Sequence, residues 1–311
     1  MPASDYPKII FILGPTAVGK TAMGIKLAKH FGTEIISADS RQFFREMSIG
    51  TAKPSLEELN SAKHHFINNL SITDEYSVGA FEKETFQLIE SYRGKKEVLV
   101  VVGGSGLYVD AIAHGFDDLP TGDPEIRENL NKTLIDSGIE PLVAQLKLLD
   151  PEYYAKVDVK NPQRVIRAID VCLTTGKKFS SFLNKTTKKR PFDYIKIGLN
   201  LPRPTLYFRV NQRVDNMIQN GLIDEVASLK DRQHLNSLNT VGYSEIFKHL
   251  NGDLTLDEAI ELIKRNTRRF AKRQITWFNK RGDVNWYSPQ DGDEIIKFLE
   301  NWTKTNQNTN Q

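Results

Sequence analysis

The sequence predicts an α/β protein whose core is a doubly wound parallel sheet of the P-loop NTPase type. Lys8–Leu13 is an apolar run of strand length, and a glycine-rich turn and a helical segment at 20–31 follow it. Val98–Val102 is a continuous apolar run ending at Gly103 and Gly104, which is typical of a strand buried on both faces of a parallel sheet. Strands and helices alternate in this part of the chain, and that order favours a parallel sheet covered by helices.

The turn after the first strand fits the P-loop pattern of a glycine, four residues, then glycine, lysine and threonine. Its residues are Gly14, Pro15, Thr16, Ala17, Val18, Gly19, Lys20 and Thr21. In this pattern backbone N–H groups turn toward a phosphate, Lys20 reaches the phosphate oxygens, and the Thr21 hydroxyl holds Mg²⁺. A helix N-terminus after such a turn adds to the anion site. The sequence therefore predicts a phosphate cradle, but it leaves open which phosphate compound is bound.

Further segments complete the predicted core. Strands are expected at 34–37, 194–201 and 284–287, and helices at 55–64 and 78–93. Ligands of such sheets bind at the carboxyl ends of the strands. The P-loop, the segment beginning at Ala38 and the segment Gly103-Gly104-Ser105-Gly106 all follow strands and therefore lie at that edge.

The chain changes character between 117 and 190, where strand-like runs disappear. Helices are expected at 126–137, 139–147 and 163–174. Asp123-Pro124 and Asn161-Pro162 are typical helix starts, with proline at the first helical position. The predicted organisation is a P-loop core from 1–116 and 191–302, an all-helical insertion at 117–190, and a polar, disordered tail at 303–311.

Composition limits the class of protein. The 311 residues are 39% hydrophobic and 26% charged, with a formal net charge of +3, as in an ordinary globular protein. Cys172 is the only cysteine, so neither an internal disulfide nor a cysteine-based zinc cluster is possible. The sequence has no apolar run of about 20 residues and no secretory signal. We expect a cytoplasmic monomer without membrane association.

A basic segment stands out near the C-terminus. Lys264–Arg281 carries eight basic residues and no acidic one. Phe270 and Trp277 are two helical turns apart, which predicts a helix with an apolar stripe and a basic face. Such a face either contacts polyanionic phosphate or is simply solvated, and the sequence leaves both open. A second cluster, made of Lys185, Lys188, Lys189 and Arg190, is expected to be a solvated linker.

Three further features could carry chemistry. Asp39 directly follows the second strand, where a carboxylate near a phosphate site acts as metal ligand or general base, or simply caps a helix. The Gly103–Gly106 segment permits close approach of a ligand or forms a tight turn. Arg209 and Arg213 lie at i, i+4 of a predicted helix, which suits diphosphate binding, although a surface salt-bridge pair is favoured by sequence alone.

Seven motifs in the chain occur in the order of one known family, and the resemblance extends over nearly the whole chain. They are Gly14–Thr21, Ser37–Gln42, Gly50–Pro54, Gly103–Tyr108, Asn161–Ala168, Val241–Tyr243 and Thr267–Phe278. The chain thereby resembles the tRNA dimethylallyltransferases. Two departures are small: Ser105 stands where the family more often has threonine, and Phe44 where tyrosine is common.

The resemblance implies a reaction. A dimethylallyl group would pass from dimethylallyl diphosphate to the N6 amine of adenosine 37, next to the anticodon, in tRNAs reading codons that begin with U. The products would be N6-dimethylallyladenosine and diphosphate. By resemblance Asp39 is the base, while the P-loop amides, Lys20, Mg²⁺ on Thr21 and Arg209 stabilise the leaving diphosphate. The adenine would have to flip out of its stack to react.

The resemblance also implies an RNA surface. The anticodon loop would contact Asp39, Ser40, Arg41, Gln42, Ser105, Arg127, Gln163, Arg164, Val165, Ile166 and Arg167. The helical insertion would supply the rest of the grip on the anticodon stem-loop.

Three alternatives remain open from the residues alone. A prenyltransferase acting on free adenine nucleotides would share the donor site but would not need the insertion. A P-loop kinase of a small metabolite would leave the basic helix without a role. A non-catalytic RNA-binding protein would not need Asp39, Lys20 and Thr21 together.

Overall fold

The computed structural model describes residues 5–115, 117, 119–183 and 189–305. The chain forms two compact units. The sheet unit lies within Met1–Ala113 and Arg190–Gln311, and the helical unit is His114–Lys189.

Within the described residues, the sheet unit is built on six parallel strands. They are β1 (Lys8–Leu13), β2 (Ile35–Ser37), β3 (His64–His65), β4 (Val98–Gly103), β5 (Tyr194–Leu199) and β6 (Val284–Tyr287). Their order is β3-β2-β4-β1-β5-β6, so β1 lies inside the sheet with β4 and β5 as neighbours. Ile9 of β1 is opposite Leu99 and Tyr194. The P-loop therefore leaves the sheet beside the ends of two other strands.

Helices cover both faces of this sheet. Before the helical unit they are α1 (Lys20–His30), α2 (Leu56–Ser61), α3 (Val78–Ser91) and α4 (Gly106–His114). Alternate residues of β1 enter two separate cores: Ile9, Phe11 and Leu13 pack on one side, and Ile10 and Ile12 on the other. A strand buried on both faces explains why β1 and β4 are apolar at nearly every position.

The helical unit has a core of its own. Its helices are α5 (Pro124–Ser137), α6 (Glu140–Leu149), α7 (Pro151–Tyr154) and α8 (Pro162–Thr175). The Asp123 side chain caps α5 and the Asn161 side chain caps α8, each followed by proline, so both predicted helix starts are confirmed. Leu146, Val165 and Ile169 are completely buried in this core.

The remaining helices belong to the sheet unit. They are α9 (Arg203–Gln219), α10 (Leu222–Ala227), α11 (Tyr243–Leu250), α12 (Leu256–Arg281) and α13 (Gly292–Thr305). Parts of α9 to α12 enclose a third apolar cluster that includes Tyr243 and Phe44. Phe44 therefore lies in a core, where a phenyl ring needs no hydrogen-bond partner. Among the described residues, no helix is long and apolar enough to cross a membrane.

The fold class expected from the sequence is confirmed, but several local predictions are wrong. The helix predicted at 55–64 ends at Ser61, because His64 and His65 pair with β2 at the sheet edge. Helix α4 was not predicted. The helix α13 continues to Thr305, so the first three residues of the expected disordered tail are helical; residues after 305 lie outside the described part.

The prediction of a solvated basic cluster is also wrong for Arg190. Its guanidinium donates to the Glu82 carboxylate (2.6 Å) and to the backbone oxygens of Ala111 and Ile112. The Arg190 side chain is 8% exposed, so its ion pair with Glu82 is buried and has a structural role. Lys189 is exposed, and Lys185 and Lys188 lie outside the described residues.

Candidate functional site

The P-loop forms a tight turn between β1 and α1. The backbone takes positive φ at Gly14 (141°), Ala17 (64°) and Gly19 (109°). Lys20, the first residue of α1, folds back over the turn and its Nζ donates to the Pro15 oxygen at 2.8 Å. The ammonium group is thus held above the loop, where an anion bound by the loop would meet it.

The charge state of Lys20 is perturbed. Desolvation by the surrounding protein and the nearby Arg213 cation lower the pKa of Lys20 to about 7, and Asp39 offsets only part of this effect. A cation held in such surroundings is stabilised by an incoming anion. The electrostatics of the loop therefore favour a negatively charged ligand.

A cavity of about 320 Å³ opens beside the loop at the carboxyl edge of the sheet. Three segments that follow β1, β2 and β4 contribute to its wall, together with α9, α12 and the loop 51–54. The lining includes Thr16, Ala17, Gly19, Lys20, Thr21, Asp39, Gln42, Lys53, Gly103, Gly104, Arg213, Phe270 and Gln274. The expectation that the motifs after the strands surround one site agrees with this geometry.

Asp39 lies in a turn and not at the start of a helix. Its Oδ1 accepts the backbone N–H groups of Arg41 (2.9 Å) and Gln42 (3.3 Å). Its Oδ2 has no hydrogen-bond partner within the described part of the chain. One oxygen therefore fixes the turn, and the other is available to a ligand in the cavity.

Hydrogen bonds also organise the neighbours of Asp39. The Ser105 hydroxyl accepts the Ser40 N–H at 3.1 Å and donates to the Ser40 hydroxyl at 3.3 Å. The Gln42 amide donates to the oxygens of Thr51 and Ala52, both at 3.3 Å. Arg41 donates to the Asn239 oxygen at 3.3 Å, and burial lowers its pKa. The hydroxyl that Ser105 shares with threonine thus has a definite role in holding the Asp39 turn.

The two arginines of α9 contact the P-loop. Arg213 donates to the Thr16 hydroxyl at 3.2 Å and lines the cavity. Arg209 makes a longer contact, 3.5 Å, to the Val18 oxygen and does not line the cavity. Neither forms an ion pair with a described carboxylate, so the surface salt-bridge interpretation is wrong. The cation nearer the predicted donor site is Arg213 rather than Arg209.

Sequence reasoning did not assign a role to Gln274 of α12. This side chain is only 7% exposed and uses both ends of its amide. Its Oε1 accepts the Thr16 N–H and its Nε2 donates to the Gly104 oxygen, each at 2.9 Å. Gln274 therefore joins the P-loop to the glycine-rich turn after β4. The signal available in the sequence was an uncharged amide within a run of lysines and arginines.

The rest of α12 presents a mixed surface. The buried stripe consists of Ala271, Gln274 and Phe278, whereas Phe270 is 38% exposed and lines the cavity. The predicted stripe of Phe270 and Trp277 is therefore wrong for Phe270. The basic residues without an ion pair or hydrogen bond to any described residue are exposed: Arg265, Arg269, Lys272, Arg273 and Lys280.

In the helical unit, some of the residues predicted to contact RNA are exposed and others are buried. Arg127, Gln163 and Arg164 are exposed, but Val165 and Ile166 are 0% and 1% exposed within the core of the unit. The side chains of Val165 and Ile166 therefore cannot contact RNA in this conformation, which corrects the prediction for them.

The Arg167 side chain forms hydrogen bonds within the helical unit. It donates to the Pro120 oxygen at 2.7 Å and to the buried Asp170 carboxylate at 3.3 Å. Its guanidinium therefore fixes the segment before α5.

A divalent cation bound in this cavity would depend on ligands beyond the protein's own side chains. Within the described ranges, no three carboxylate, histidine or cysteine side chains come together as a metal cage. Among the side chains that line the cavity, Thr21 offers a hydroxyl, and Asp39 and Glu58 offer carboxylates. Mg²⁺ is commonly bound in this way, with few protein oxygens and the substrate phosphates completing the shell.

A P-loop at the carboxyl edge of a parallel sheet, with Lys20 over the turn and Arg213 in the cavity wall, defines a P-loop α/β protein whose cavity suits an anionic group. The sequence profile of the IPP transferase family matches residues 42–281. The tRNA dimethylallyltransferase of Christiangramia forsetii is 53% identical over 303 residues, covering 97% of this chain and 100% of the relative. The chain belongs to the IPP transferase family.

Solved structures agree in fold. The full-length tRNA isopentenylpyrophosphate transferase of Bacillus halodurans superposes with a TM-score of 0.70 at 36% identity, covering 96% of this chain and 98% of that one. A eukaryotic dimethylallyltransferase acting on tRNA superposes with a TM-score of 0.78 at 25% identity, covering 96% of this chain and 80% of that one.

Proposed function

We propose that the protein transfers the dimethylallyl group of dimethylallyl diphosphate to the N6 amine of adenosine 37 in tRNAs that read codons beginning with U. The observation that carries this proposal is the joint presence of Asp39, Lys20 and the P-loop in one cavity of a chain related to tRNA dimethylallyltransferases. The C–O bond of the donor breaks, an N–C bond forms, and diphosphate leaves. tRNA as acceptor makes the cytoplasm the expected compartment, and we expect a monomer.

The donor diphosphate is assigned to the P-loop. Negative charge builds on the diphosphate as the C–O bond breaks, so fixed cations near its oxygens lower the barrier. Lys20 over the loop and Arg213 beside Thr16 supply such charges, with Arg209 behind Val18. Bound diphosphate in turn favours the charged form of Lys20.

The acceptor adenine is assigned to the side of the cavity that holds Asp39. The exocyclic amine of adenine is a weak nucleophile because its lone pair is delocalised into the ring. A carboxylate that accepts the amine proton as the N–C bond forms removes the positive charge that would otherwise develop. Asp39 suits this role because its Oδ1 is fixed by two backbone N–H groups while Oδ2 is not used by described residues.

Mg²⁺ is assigned to the diphosphate, held on the protein side by the Thr21 hydroxyl. It would supply charge neutralisation of the leaving group. The absence of a cluster of three histidine, cysteine or carboxylate side chains among the described residues suits an ion that enters with the donor.

Binding of the tRNA is assigned to exposed basic and polar side chains. Arg127, Gln163 and Arg164 of the helical unit are free to meet the anticodon stem-loop, and the unpaired cations of α12 are suited to phosphates. Phe270 offers an exposed ring at the cavity, against which a flipped base can stack. Ser40, Arg41, Gln42 and Ser105 are assigned to the same RNA surface, where they shape the turn that presents Asp39.

The test is direct transfer. The protein is incubated with Mg²⁺, dimethylallyl diphosphate and an unmodified transcript of a tRNA that reads UNN codons, and the nucleosides are analysed by mass spectrometry. We expect one C5H8 unit on adenosine, and none on a matched transcript carrying guanosine at position 37. Transfer to free AMP but not to tRNA would favour the nucleotide prenyltransferase. ATP consumption without any adduct would favour a kinase.

A further inference from the structure

The Glu225 carboxylate of α10 accepts hydrogen bonds from three consecutive backbone N–H groups of one turn. Oε2 of Glu225 accepts from Ser48 (2.9 Å) and Ile49 (2.8 Å), and Oε1 accepts from Gly50 (3.0 Å). Hydrogen bonds to a charged acceptor are stronger than neutral ones. The segment 48–50 is therefore anchored to α10 at three points by a single side chain.

Tyr243 supports the same anchor. Its hydroxyl donates to Oε1 of Glu225 at 2.6 Å, and its ring is completely buried. A Cβ atom on Gly50 would overlap this ring, so only glycine allows the loop to approach so closely. Burial and the Glu225 carboxylate both raise the pKa of Tyr243, so its hydroxyl stays protonated and remains a donor.

The anchored segment leads directly into the wall of the cavity. Thr51, Ala52, Lys53 and Pro54 line the same space as Lys20 and Asp39. On its other side this wall is held by the Gln42 amide, which donates to the oxygens of Thr51 and Ala52. Neither Glu225 nor Tyr243 lines the cavity. Glu225 and Tyr243 therefore affect the cavity only through the loop 50–54.

We propose that Glu225, supported by Tyr243, is a positioning residue for prenyl transfer that sets the place of the loop 50–54 in the donor cavity. This inference rests on the function proposed above. It gives a shared role to two motifs that are far apart in the sequence, Gly50–Pro54 and Val241–Tyr243. The Glu225 carboxylate holds the start of the loop, and the Gln42 amide holds Thr51 and Ala52. Because the Gln42 N–H also donates to Asp39, the position of the loop connects the donor cavity to the base.

The test uses Glu225→Gln in the full chain. An amide has one oxygen acceptor instead of two, and its NH₂ group would face an N–H of the loop or the Tyr243 hydroxyl. We expect the KM for dimethylallyl diphosphate to rise about tenfold while kcat at saturating donor changes less than twofold. The matched control is Asp224→Asn, the same loss of charge at an exposed neighbour on the same helix, which should leave both constants unchanged.

A second readout separates positioning from general stability. Amide hydrogen exchange followed by mass spectrometry should increase in the segment 48–54 of Glu225→Gln but not in the P-loop peptide. Tyr243→Phe removes only one hydrogen bond and keeps the ring against Gly50, so it should raise the donor KM about threefold. It serves as the informative variant if Glu225→Gln does not fold.

The outcomes are distinct. A raised donor KM together with faster exchange in 48–54 supports the inference. An unchanged KM in variants that are folded and active overturns it, whether or not exchange changes, and leaves the proposed function intact. Absence of transfer by the unmodified protein would instead overturn the proposed function.

Discussion

The side chains proposed to act in the reaction and those of the helical unit proposed to meet RNA are held in different ways. In the sheet unit, Asp39, Gln42 and Gln274 are fixed by hydrogen bonds to the backbone of neighbouring turns before any ligand arrives. In the helical unit, Arg127 and Arg164 extend into solvent. We expect the reaction to depend on precise placement of the side chains in the cavity, and RNA binding by these exposed residues to depend mainly on charge.

The largest expected effect comes from Asp39 in the sheet unit. Asp39→Ala removes the proposed base and should lower kcat by roughly 10²–10⁴-fold, the usual range for a general base. Affinity for tRNA should change less than threefold, because binding is assigned mainly to exposed cations. Single-turnover transfer and a filter-binding titration measure the two quantities. An equal loss of both would mean that Asp39 orients the RNA and does not act as the base.

The next effect concerns Gln274, which joins two turns of the sheet unit. In Gln274→Glu the carboxylate still accepts from Thr16 but cannot donate to the Gly104 oxygen. We expect about 1–3 kcal/mol lower stability for an unsatisfied buried group, and a transfer rate lower by roughly 10–100-fold through the displaced P-loop. Thermal unfolding and steady-state kinetics test this.

The matched control is Asn279→Asp, the same amide-to-carboxylate change at an exposed position of α12. It should leave kinetics and melting temperature nearly unchanged. If both variants lose activity and stability to the same extent, the added charge causes the loss and the hydrogen bonds of Gln274 do not.

A pH effect should appear in the sheet unit only. The pKa of Lys20 is about 7 in the free protein, so above pH 7 donor binding must be accompanied by proton uptake. The donor KM should rise by up to about tenfold per pH unit above 7. Calorimetry in buffers of different ionisation enthalpy should detect the proton, and Lys20→Arg should abolish it because arginine remains charged. Binding of the anticodon stem-loop alone should show no such dependence.

Lys20 should also make the free energy of unfolding depend on pH. Its pKa is lowered from 10.5 to about 7 by folding, so between these values the unfolded chain binds more protons than the folded one. Lys20 therefore makes the free energy of unfolding rise with pH through this window. Denaturant titrations at pH 7 and pH 9 should show a smaller rise in Lys20→Met than in the unchanged protein.

The smallest effect is expected in the helical unit. Arg164→Ala should weaken tRNA binding a few-fold and reduce the salt dependence by about one charge without changing stability. Its neighbour provides the contrast, since Val165→Ala opens a cavity in the core and should lower stability by about 1–3 kcal/mol while leaving RNA contacts in place. Reversal of these two results would remove the distinction between exposed and buried positions of α8.

The site in the sheet unit was predictable where its position follows from strand ends. The P-loop and Asp39 come directly after strands, and parallel strands bring their carboxyl ends to one edge whatever else the chain does. Gln274 was not predictable as a bridge, because its partners Thr16 and Gly104 meet it only through tertiary packing of α12. The choice between Arg209 and Arg213 depends in the same way on how α9 meets the P-loop.

Helical periodicity was less informative. Phe270 and Trp277 are seven residues apart, but so are Ala271 and Phe278, which form the buried face of α12. On α8, a motif of consecutive residues includes both faces of the helix, so Val165 and Ile166 are buried although Arg164 beside them is exposed. The strand β3 has only two residues, too few for any pattern of alternation.

The strand order also determines when the P-loop can be completed during synthesis. Ile9 of β1 pairs with Leu99 on one side and Tyr194 on the other, and the whole helical unit lies between these partners in the chain. At roughly 5–20 residues per second the ribosome needs several seconds to pass the insertion, and during that time one edge of β1 has no partner. An apolar strand with an open edge is an aggregation hazard. The length of the insertion therefore sets how long this edge of the nascent chain stays open to pairing with other chains.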